Sequence, residues 1–294
     1  MFKSGFIAII GRPNVGKSTI LNAIVGEKLA IISPKAQTTR HKALAIYCDE
    51  EAQMIFLDTP GFHRAKTKLG DFMVGEVMSS LEEVDIVMLV VDRAGLGDIE
   101  EQLIQVIKRS DAKKILVINK TDTMDPDAYL SFYNQSTASG IFDHVIGIAA
   151  QQGLGILELN RLIKNELPEG PHYYPPDQLT DQTERTLVGE LIREKALLFL
   201  SDEVPHGIAV DIVKMKLRKD QNIYDIDADI ICERESHKGI VIGKSGHTLK
   251  GIGKAAREDM ERLLDCKVNL KLFVKVREDW RNSASHLSGL GYKK

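Results

Sequence analysis

Short apolar runs alternate with helix-length amphipathic segments over the first 167 residues of this 294-residue chain. Continuous apolar runs of this kind are typical of strands that helices cover on both faces. The pattern therefore predicts an α/β domain with a doubly wound, mainly parallel sheet, whose ligands bind outside the carboxyl ends of the strands. The predicted strands are residues 6–10, 43–47, 54–57, 86–91, 115–118 and 145–149.

The region after residue 200 has a different pattern, in which apolar and polar residues alternate. Strands are predicted over 224–230 and 268–276, with a helix over 248–264 between them. This mixture predicts a smaller α+β domain. The polar positions of the first of these strands are three aspartates, which we interpret as a solvated face rather than a metal cluster: Asp225, Asp227 and Asp229.

A proline-rich segment separates the two patterns. Residues 168–176 contain four prolines, which favours a stiff, extended linker. A helix is predicted over 180–200, because Asp181 is followed three residues later by Glu184, as in a capping box. The expected parts of the chain are residues 1–168, a linker over 169–178, and residues 179–294.

Composition narrows the class of protein. A content of 43% hydrophobic and 28% charged residues is typical of globular proteins, and the length suffices for two domains. The net charge of −3 excludes a uniformly basic nucleic-acid binder but leaves local basic patches open. Cys48, Cys232 and Cys266 match no zinc or disulfide spacing, so a reducing cytoplasm is expected. The sequence has no run of eighteen apolar residues, so no transmembrane segment is expected.

The strongest motif lies between the first predicted strand and an apolar-periodic helix. Gly-x4-Gly-Lys-Ser in that setting is typical of a phosphate-binding loop, because glycines let backbone N–H groups turn inward and a helix N-terminus favours anions. Lys17 is expected to reach the β- and γ-phosphates of a nucleoside triphosphate, and Ser18 to bind Mg²⁺. The residues assigned to this ligand are Gly11, Arg12, Pro13, Asn14, Val15, Gly16, Lys17, Ser18 and Thr19.

Two further segments have the chemistry of nucleotide-sensing loops. Residues 33–40 form a polar, exposed loop in which a hydroxyl can complete a Mg²⁺ shell and sense the γ-phosphate. The sequence Asp58-Thr59-Pro60-Gly61 ends the third apolar run, where the carboxylate can hold Mg²⁺ through water and the glycine N–H can reach the γ-phosphate. Each segment alone is also typical of a structural turn, so the assignment depends on the phosphate loop before it.

The motif Asn-Lys-x-Asp, at residues 119–122, follows another predicted strand. A carboxylate there can accept hydrogen bonds from N1–H and the N2 amine of guanine, a donor pair that adenine lacks. Adenine would leave the carboxylate unpaired, at a cost of about 1–3 kcal/mol or more. The asparagine would also tie this loop to the phosphate loop, the lysine would cover the base, and a later backbone N–H would reach guanine O6. The residues assigned to the base are Asn119, Lys120, Asp122, Ala149 and Ala150.

A glycine tetrapeptide in the second region has the chemistry of a nucleic-acid contact. It precedes a predicted helix, and residues 236–257 include five basic residues and no acidic one. Glycines allow a phosphate to approach the backbone closely, and lysine adds charge. A helix-joining turn with a basic solvated face is the alternative. The residues assigned to this nucleic-acid contact, which the family resemblance given below implies is with RNA, are Ile242, Gly243, Lys244, Ser245, Gly246, Lys250 and Lys254.

Taken in order, the phosphate loop, Thr-Thr-Arg, Asp-Thr-Pro-Gly, Asn-Lys-x-Asp and the C-terminal Gly-Lys-Ser-Gly make nearly the whole chain resemble the Era family. The resemblance implies a Ras-like P-loop G domain followed by a type II KH domain, with GTP or GDP and Mg²⁺ as ligands. It implies binding to the 3′ end of 16S rRNA during assembly of the 30S small ribosomal subunit. A cytoplasmic monomer is expected, and peripheral contact with the membrane stays open.

The resemblance also assigns roles to residues. Thr39 would be the switch threonine, with Thr38 beside it. The expected Mg²⁺ ligands are Ser18, Thr39 and Asp58. The expected catalytic residues are Asn14, Lys17, Thr39 and Gly61.

Two positions depart from the family pattern. Ras-like enzymes usually have a water-orienting glutamine after the switch glycine, whereas this chain has Phe62. Slow intrinsic hydrolysis is therefore expected, with transition-state charge met by Lys17, Mg²⁺ and K⁺ at Asn14, which resembles the cation-binding asparagine of potassium-dependent relatives. Ala149 stands where the family commonly has serine, so a modest loss of loop rigidity is expected.

Two other functions stay open. In the first, the protein binds RNA constitutively and GTP is only a structural ligand; Thr39 and Asp58 favour a switch instead, because a static site would not need them. In the second, the protein is an ATP-dependent RNA enzyme, which requires Asp122 to have no role in base recognition.

Overall fold

The computed structural model of the chain describes residues 1–33, 35 and 38–292. Contacts define two compact units. The N-terminal unit contains Met1–Ala30, Thr39–Arg64 and Met73–Asp181, and the C-terminal unit contains Ile31–Thr38, Ala65–Phe72 and Gln182–Lys294. Two short segments from the first half of the chain therefore belong, by their contacts, to the C-terminal unit, which no sequence pattern indicated.

One six-stranded sheet forms the centre of the N-terminal unit. Its strands are β1 (Lys3–Ile10), β2 (Ala43–Cys48), β3 (Ala52–Asp58), β4 (Ile86–Val91), β5 (Lys113–Ile118) and β6 (His144–Gly147). Their order is β2-β3-β1-β4-β5-β6, and all neighbours are parallel except β2 and β3. The predicted mainly parallel sheet is confirmed, although β6 ends before the predicted boundary at residue 149.

Both faces of this sheet are covered by helices. The helices in this part of the chain are α1 (Lys17–Val25), α2 (Lys68–Ser79), α3 (Asp98–Ile107), α4 (Pro126–Ala138) and α5 (Ile156–Glu166). Along β4, Ile86, Met88 and Val90 pack into one apolar cluster with side chains of α1 and α5. The intervening residues of β4 pack into a second cluster with side chains of α3 and α4. Because both faces are buried, the strand has a continuous apolar sequence.

The proline-rich segment packs against this sheet and is not a free linker. The N–H of Ser4 on β1 donates to the carbonyl of Pro168 at 3.1 Å. The buried side chain of Gln53 on β3 donates to the carbonyl of Tyr174 at 2.8 Å and accepts from the N–H groups of Tyr173 and Tyr174 at 2.8 and 3.1 Å. Because prolines lack N–H groups, the segment is held through its other backbone atoms, which the sequence could not show.

A three-stranded sheet forms the centre of the C-terminal unit. Its strands, in spatial order, are β7 (Ala209–Arg218), β8 (Ile223–Cys232) and β9 (Lys267–Val276). The helices in this part are α6 (Glu184–Phe199), α7 (Glu235–Ile242), α8 (His247–Leu263) and α9 (Ala284–Gly289). One face of the sheet packs against α6, α7 and α8. Strand β7 was not predicted, because a bulge between Ile212 and Lys214 breaks its alternation.

The predicted start of the helix after the proline-rich segment was wrong. Helix α6 begins at Glu184, and the hydroxyl of its N-cap Thr183 accepts from the N–H of Thr186 at 3.2 Å. Asp181 instead accepts from the N–H of Leu44 at 3.1 Å, within the N-terminal unit. Asp181 and Glu184 therefore have the spacing of a capping box, but Asp181 does not cap the helix.

The interpretation of the β8 aspartates as a solvated face was also wrong for one of them. Asp229 is 2% exposed and pairs with Lys275 on β9 at 2.6 Å. Asp225 pairs with Arg218 on β7 at 2.9 Å. Neighbouring strands thus supply cations that the alternation within one strand does not reveal. Among the described residues, no group of three or more His, Cys, Asp or Glu side chains is placed to hold a metal.

The three cysteines are free thiols. In the part of the chain that the structure describes, the helices are too short or too polar for any of them to cross a membrane.

Candidate nucleotide site and nucleic-acid interface

The phosphate loop runs from the end of β1 to the start of α1. Gly11 and Gly16 have positive φ angles of 150° and 102°. A Cβ at Gly11 would lie 2.4 Å from the carbonyl oxygen of Val90, and a Cβ at Gly16 would lie 2.1 Å from Nδ2 of Asn119. Side chains at these positions would therefore push the loop away from its neighbours.

Lys17 lies inside this loop. Its side chain is buried, and its ammonium group donates to the carbonyl oxygens of Gly11 at 3.2 Å and Arg12 at 2.9 Å. Burial lowers the pKa of Lys17 to about 8, although the carboxylates of Asp58 and Asp92 act in the opposite direction. A cation within a glycine-rich loop at a helix N-terminus is suited to bind phosphate oxygens.

Three oxygen-bearing side chains converge beside the loop. The hydroxyl of Ser18 lies 3.1 Å from the hydroxyl of Thr39 and 3.2 Å from Oδ2 of Asp58. The Thr39 hydroxyl lies 3.4 Å from the same carboxylate oxygen. Oδ1 of Asp58 is buried without a hydrogen-bond partner in the described part of the chain. Hydroxyl and carboxylate oxygens are the ligands that Mg²⁺ prefers, so this group fits a magnesium ion.

The electrostatics of Asp58 agree with such an ion. Burial raises the pKa of Asp58 to about 6, although the charge of Lys17 and the hydroxyls of Ser18 and Thr39 stabilise its ionised form. A divalent cation would favour the ionised carboxylate, since nearby positive charge lowers a carboxyl pKa.

The residues after Asp58 divide between structural and functional positions. The hydroxyl of Thr59 donates to the carbonyl of Ile9 at 2.6 Å, and both Thr59 and Pro60 are buried. A Cβ at Gly61 would lie 2.6 Å from the backbone of Pro13. Glycine is therefore required where the loop after Asp58 meets the phosphate loop.

Phe62 is directed into the protein. Its N–H donates to the carbonyl of Gly11 at 3.0 Å, and its ring packs against the apolar cluster on the α3 and α4 side of the sheet. The ring offers no group that could orient a water molecule.

Asn119 joins the phosphate loop to the loop after β6. Its Nδ2 donates to the carbonyl of Val15 at 2.9 Å, and its Oδ1 accepts from the N–H of Ala150 at 3.1 Å. The N–H of Ala149 donates to the carbonyl of Leu154 at 3.0 Å. The N–H groups of Ala149 and Ala150, which are the predicted donors to guanine O6, thus both have partners within the protein. To reach the base, the N–H of Ala150 would have to give up its bond to Asn119.

An ion-pair network connects the guanine motif with the phosphate loop. The ammonium group of Lys120 donates to the carbonyl of Asn14 and to Asp92, each at 2.8 Å. Asp92 also accepts from Arg12 at 2.9 Å, and the buried Glu100 forms a second ion pair with Arg12. Sequence reasoning missed Asp92 and Glu100; the available signal was a carboxylate directly after an apolar strand.

Asp122 is exposed and accepts from Nε2 of Gln152 at 3.0 Å. Gln152 was also missed, because it lies in a loop without a recognisable motif. The loops that follow β1, β3 and β5 are joined by direct hydrogen bonds, as a site for a single nucleotide requires.

Thr38 and Thr39 have different environments. Thr39 lies in the oxygen cluster described above, whereas the hydroxyl of Thr38 donates to the carbonyl of Lys35 at 2.6 Å. The carbonyl of Thr38 accepts from the buried guanidinium of Arg193 on α6. Thr38 therefore adds no side chain to the oxygen cluster. Pro34, Ala36 and Gln37 of the predicted switch lie outside the described residues.

The glycine tetrapeptide forms a tight turn between α7 and α8. Gly243, Ser245 and Gly246 have positive φ angles of 72°, 52° and 76°. Lys244 and Ser245 are exposed, and Ile242 is half-buried. The middle of the turn is therefore open to solvent.

A groove of about 370 Å³ lies between α8 and β9. Leu249, Leu270 and Leu272 supply apolar surface in it. Its cationic side chains are the predicted Lys250 and Lys254 together with Arg257, which was not assigned to RNA from the sequence. Apolar surface for bases beside cations for phosphates is suited to single-stranded nucleic acid.

Comparisons with known proteins also separate a nucleotide-binding N-terminal part from a nucleic-acid-binding C-terminal part. A family model described as 50S ribosome-binding GTPase matches residues 6–120, and one described as KH domain matches residues 203–281. GTPase Era of Alkaliphilus oremlandii is 52% identical over 292 residues, covering 99% of both proteins. GTPase Era of Clostridioides difficile is 50% identical over 296 residues, also covering 99% of both.

Two solved structures match the whole chain. One is Era in complex with MgGDPNP and nucleotides 1506–1542 of 16S ribosomal RNA, with a TM-score of 0.95, 40% identity and 100% coverage of both chains. The other is an Aquifex aeolicus Era variant bound to GDP.AlF4−, with the same TM-score, identity and coverage. The predicted order of a Ras-like G domain and a KH domain is confirmed.

Proposed function

Because the chain belongs to the Era family of GTPases, we propose that its GTPase cycle switches binding to the 3′ end of 16S rRNA during assembly of the small ribosomal subunit. One observation carries the nucleotide half of this proposal: three loops after parallel strands are hydrogen-bonded around the buried Lys17. The RNA half is supported by the exposed glycine turn, by the cationic groove between α8 and β9, and by a relative that forms a complex with MgGDPNP and 16S nucleotides 1506–1542.

In this proposal each loop binds a different part of GTP. The backbone of residues 11–18 surrounds the phosphates, and Lys17 turns from the carbonyls of its own loop to the β- and γ-phosphates. Gly61 offers its N–H to the γ-phosphate. Asn119 and Asp122 bind guanine, and the stem of Lys120 covers the base.

Ser18, Thr39 and Asp58 would hold Mg²⁺, which when bound neutralises charge on the β- and γ-phosphates. Thr39 connects this group to the switch loop. GTP would therefore hold Thr39 in place, and hydrolysis would release it.

Intrinsic hydrolysis should be slow, because the partly buried Phe62 ring packs against an apolar cluster and has no group that could orient water. Lys17 then supplies most of the protein's charge at the γ-phosphate. We propose K⁺ near Asn14 as a further cation. The rate of GTP hydrolysis, measured in K⁺ and in Na⁺, tests this proposal. Equal rates in the two salts would contradict a role for K⁺.

The main alternative is a constitutive RNA-binding protein in which GTP is only a structural ligand. Phosphate release from GTP and ATP, each with and without RNA of 16S nucleotides 1506–1542, separates the two. A switch predicts slow GTP turnover that RNA changes, with no turnover of ATP. Absence of GTP turnover under both conditions would favour the alternative.

Base recognition is tested separately with Asp122→Asn. The amide replaces one acceptor with a donor, so the variant should prefer xanthosine triphosphate over GTP by about 100-fold or more. An exposed carboxylate on α4 offers a control, Asp127→Asn, which should leave the preference for GTP unchanged. A variant at Asp122 that still prefers GTP would contradict the proposed reading of guanine.

On the RNA side, we propose that Gly243, Lys244, Ser245 and Gly246 clamp a phosphate while Ile242, Lys250 and Lys254 contact the adjoining nucleotides. We also propose functional boundaries of 1–168 for the GTPase domain, 169–178 for the linker and 179–294 for the KH domain. The proposed setting is the cytoplasm, where ribosomes are assembled, and the proposed state is a monomer. Light scattering of the purified chain tests the state, and cell fractionation tests for the peripheral membrane contact that the family resemblance left open.

A further inference from the structure

The C-terminal sheet has a second face, directed away from α6, α7 and α8. Phe273 on β9 stands on this face with 52% of its surface exposed. Alternation along β9 places Lys271 and Lys275 on the same face, while Leu272 and Val274 pack into the apolar cluster with the helices. Since β9 is an edge strand, the ring lies at the rim of the sheet, between two lysines.

The charges on this face are layered. The side chain of Asp229 is 4% exposed and pairs with Lys275, whose side chain is 57% exposed. Asp225, at 22%, pairs with Arg218, at 38%. Asp225 and Asp229 thus lie closer to the base of the face than the cations they pair with, whereas Asp211, at 37%, is more exposed than its partner Arg277, at 29%. Three further lysines on this face are exposed and have no ion pair within 4 Å among the described residues: Lys214, Lys216 and Lys271.

This face is continuous with the groove between α8 and β9. Asn269 lines the groove and also stands on the outer face, two residues from Lys271 and four from Phe273. A strand of RNA that leaves the groove at Asn269 therefore meets the lysines and the ring next.

Lysines on an edge strand also have a protective role, because they prevent pairing with a strand of another protein. Protection explains the charges but not the exposed ring, which would favour association. An aromatic ring between cations is instead the combination that stacks on a base and holds the neighbouring phosphates. The chemistry of this face therefore favours single-stranded RNA.

We propose that Phe273 stacks on a base of the RNA strand just outside the segment held in the groove, with Lys271 and Lys275 at the flanking phosphates. This site rests on the proposed function, because it extends the same RNA-binding surface. It would make the protein's RNA footprint longer than the groove alone can hold.

The test measures the affinity of the full chain, loaded with a non-hydrolysable GTP analogue, for RNA of 16S nucleotides 1506–1542 and for versions shortened stepwise from each end. Phe273→Ala should weaken binding of the longest RNA about tenfold and leave the shortest bound RNA unaffected. Phe273→Trp should restore the affinity, since it restores a stacking surface. Val213→Ala is the matched control, because Val213 is an aliphatic residue of β7 that is 57% exposed.

A second variant tests the charges. Lys271→Gln should reduce the slope of log affinity against log salt by about 0.7 for the longest RNA, the value expected for one lost phosphate contact to a single strand. Phe273→Ala that binds every length like the wild type would overturn the site, as would an equal loss at every length. Increased solubility or reduced self-association of that variant with unchanged RNA affinity would assign the ring to a protein contact instead. A wild-type chain that binds no RNA of any length would overturn the proposed RNA-binding function itself, and this site with it.

Discussion

The nucleotide site and the glycine turn differ in how far the protein itself fixes their structure. In the nucleotide site, Lys17, Asp58 and Asn119 are at most 6% exposed. Lys17 bonds to carbonyls of its own loop, and Asp58 and Asn119 bond to Ser18 and Val15 of that loop. In the turn, Lys244 and Ser245 are exposed, and among the described residues their side chains make no hydrogen bond. The loops of the first site are therefore in place before the ligand binds, although Lys17 and the N–H of Ala150 must exchange protein partners for it. The second site offers a backbone shape and charge.

This difference determines what a substitution does. Removing a buried partner leaves an unsatisfied polar group behind, so stability and ligand affinity fall together. Removing an exposed lysine costs only its interaction with the ligand, so stability is unchanged. The two regions should therefore separate in any experiment that measures both quantities.

The largest effect is expected for Asn119→Ala. It removes the bonds to Val15 and Ala150 and leaves two buried backbone groups without partners. We expect about 3 kcal/mol less stability in denaturant unfolding and about 100-fold weaker binding of GDP. Asn134→Ala on the exposed side of α4 is the control and should change neither. Weaker GDP binding with unchanged stability would mean that the site is not prearranged.

The next largest effect is expected for Gly243→Ala. Gly243 has φ 72° and ψ 172°, a region essentially restricted to glycine, and a Cβ would lie 2.2 Å from Oγ1 of Thr248. We expect about 2 kcal/mol less stability and about tenfold weaker RNA binding, with GDP affinity within twofold of the wild type. Gly239→Ala in α7 is the control, since nothing lies within 4 Å of its Cβ; it should be neutral or stabilising by up to about 1 kcal/mol. Equal RNA affinities of the two variants would show that the turn conformation does not matter.

At Asp58 we expect an effect of pH on two quantities, the stability of the nucleotide-free fold and the binding of Mg²⁺. Burial raises the pKa of Asp58 to about 6 in the folded protein, above its value in the unfolded chain. Between these two pKa values the folded protein binds a proton at Asp58 and the unfolded chain does not. Ionised Asp58 thus destabilises the nucleotide-free fold above pH 6, and that penalty disappears as pH falls from about 6 towards 4. Mg²⁺ binding requires the ionised form and should weaken over the same range.

The measurement is the Mg²⁺ concentration that half-saturates GDP retention, determined between pH 7 and pH 5. From pH 7 to pH 5 this Mg²⁺ concentration should rise about tenfold more in the wild type than in Asp58→Asn. In the variant only the nucleotide titrates, because residue 58 no longer carries a carboxyl group. Identical pH profiles for the two proteins would remove Asp58 from the metal site.

The smallest effect is expected for Lys244→Gln. The side chain is exposed, so the melting temperature and GDP affinity should not change. RNA affinity should fall a few-fold at low salt, and the salt slope should decrease by about 0.7. A matched exposed lysine of the N-terminal unit, Lys108→Gln, should leave the slope as it is. A loss that persists at high salt would mean that Lys244 does more than neutralise a phosphate.

The sequence predicted those parts of the molecule that local periodicity or a spaced motif determines. The six strands of the first sheet and the order of the motifs follow from apolar runs and from residues such as Lys17 and Asn119. The convergence of Ser18 and Asp58 also follows, because they lie at the carboxyl ends of the parallel strands β1 and β3, which share one edge of the sheet. Thr39 joins them from the amino end of β2, which runs antiparallel to β3, and it was assigned from the family resemblance.

The features that sequence reasoning missed depend on contacts between distant residues. Asp92 directly follows an apolar strand and Gln152 lies in no recognisable motif, but only the fold shows that they bond to Lys120 and Asp122. Asp229 lies in an alternating strand, but burial and Lys275 on the next strand change its environment. The proline-rich segment has the composition of a stiff, extended linker, and the sequence did not show that its N–H and carbonyl groups bind the sheet.

In the proposed function, the bound nucleotide controls the affinity of the protein for RNA. The most direct test compares the affinity of one preparation for RNA of 16S nucleotides 1506–1542 when it is loaded with GDP and when it is loaded with a non-hydrolysable GTP analogue. The account predicts affinities that differ by about tenfold or more, a coupling free energy of about 1.4 kcal/mol. Equal affinities in the two states would contradict it and would leave a constitutive RNA-binding protein with guanine nucleotide as a structural ligand.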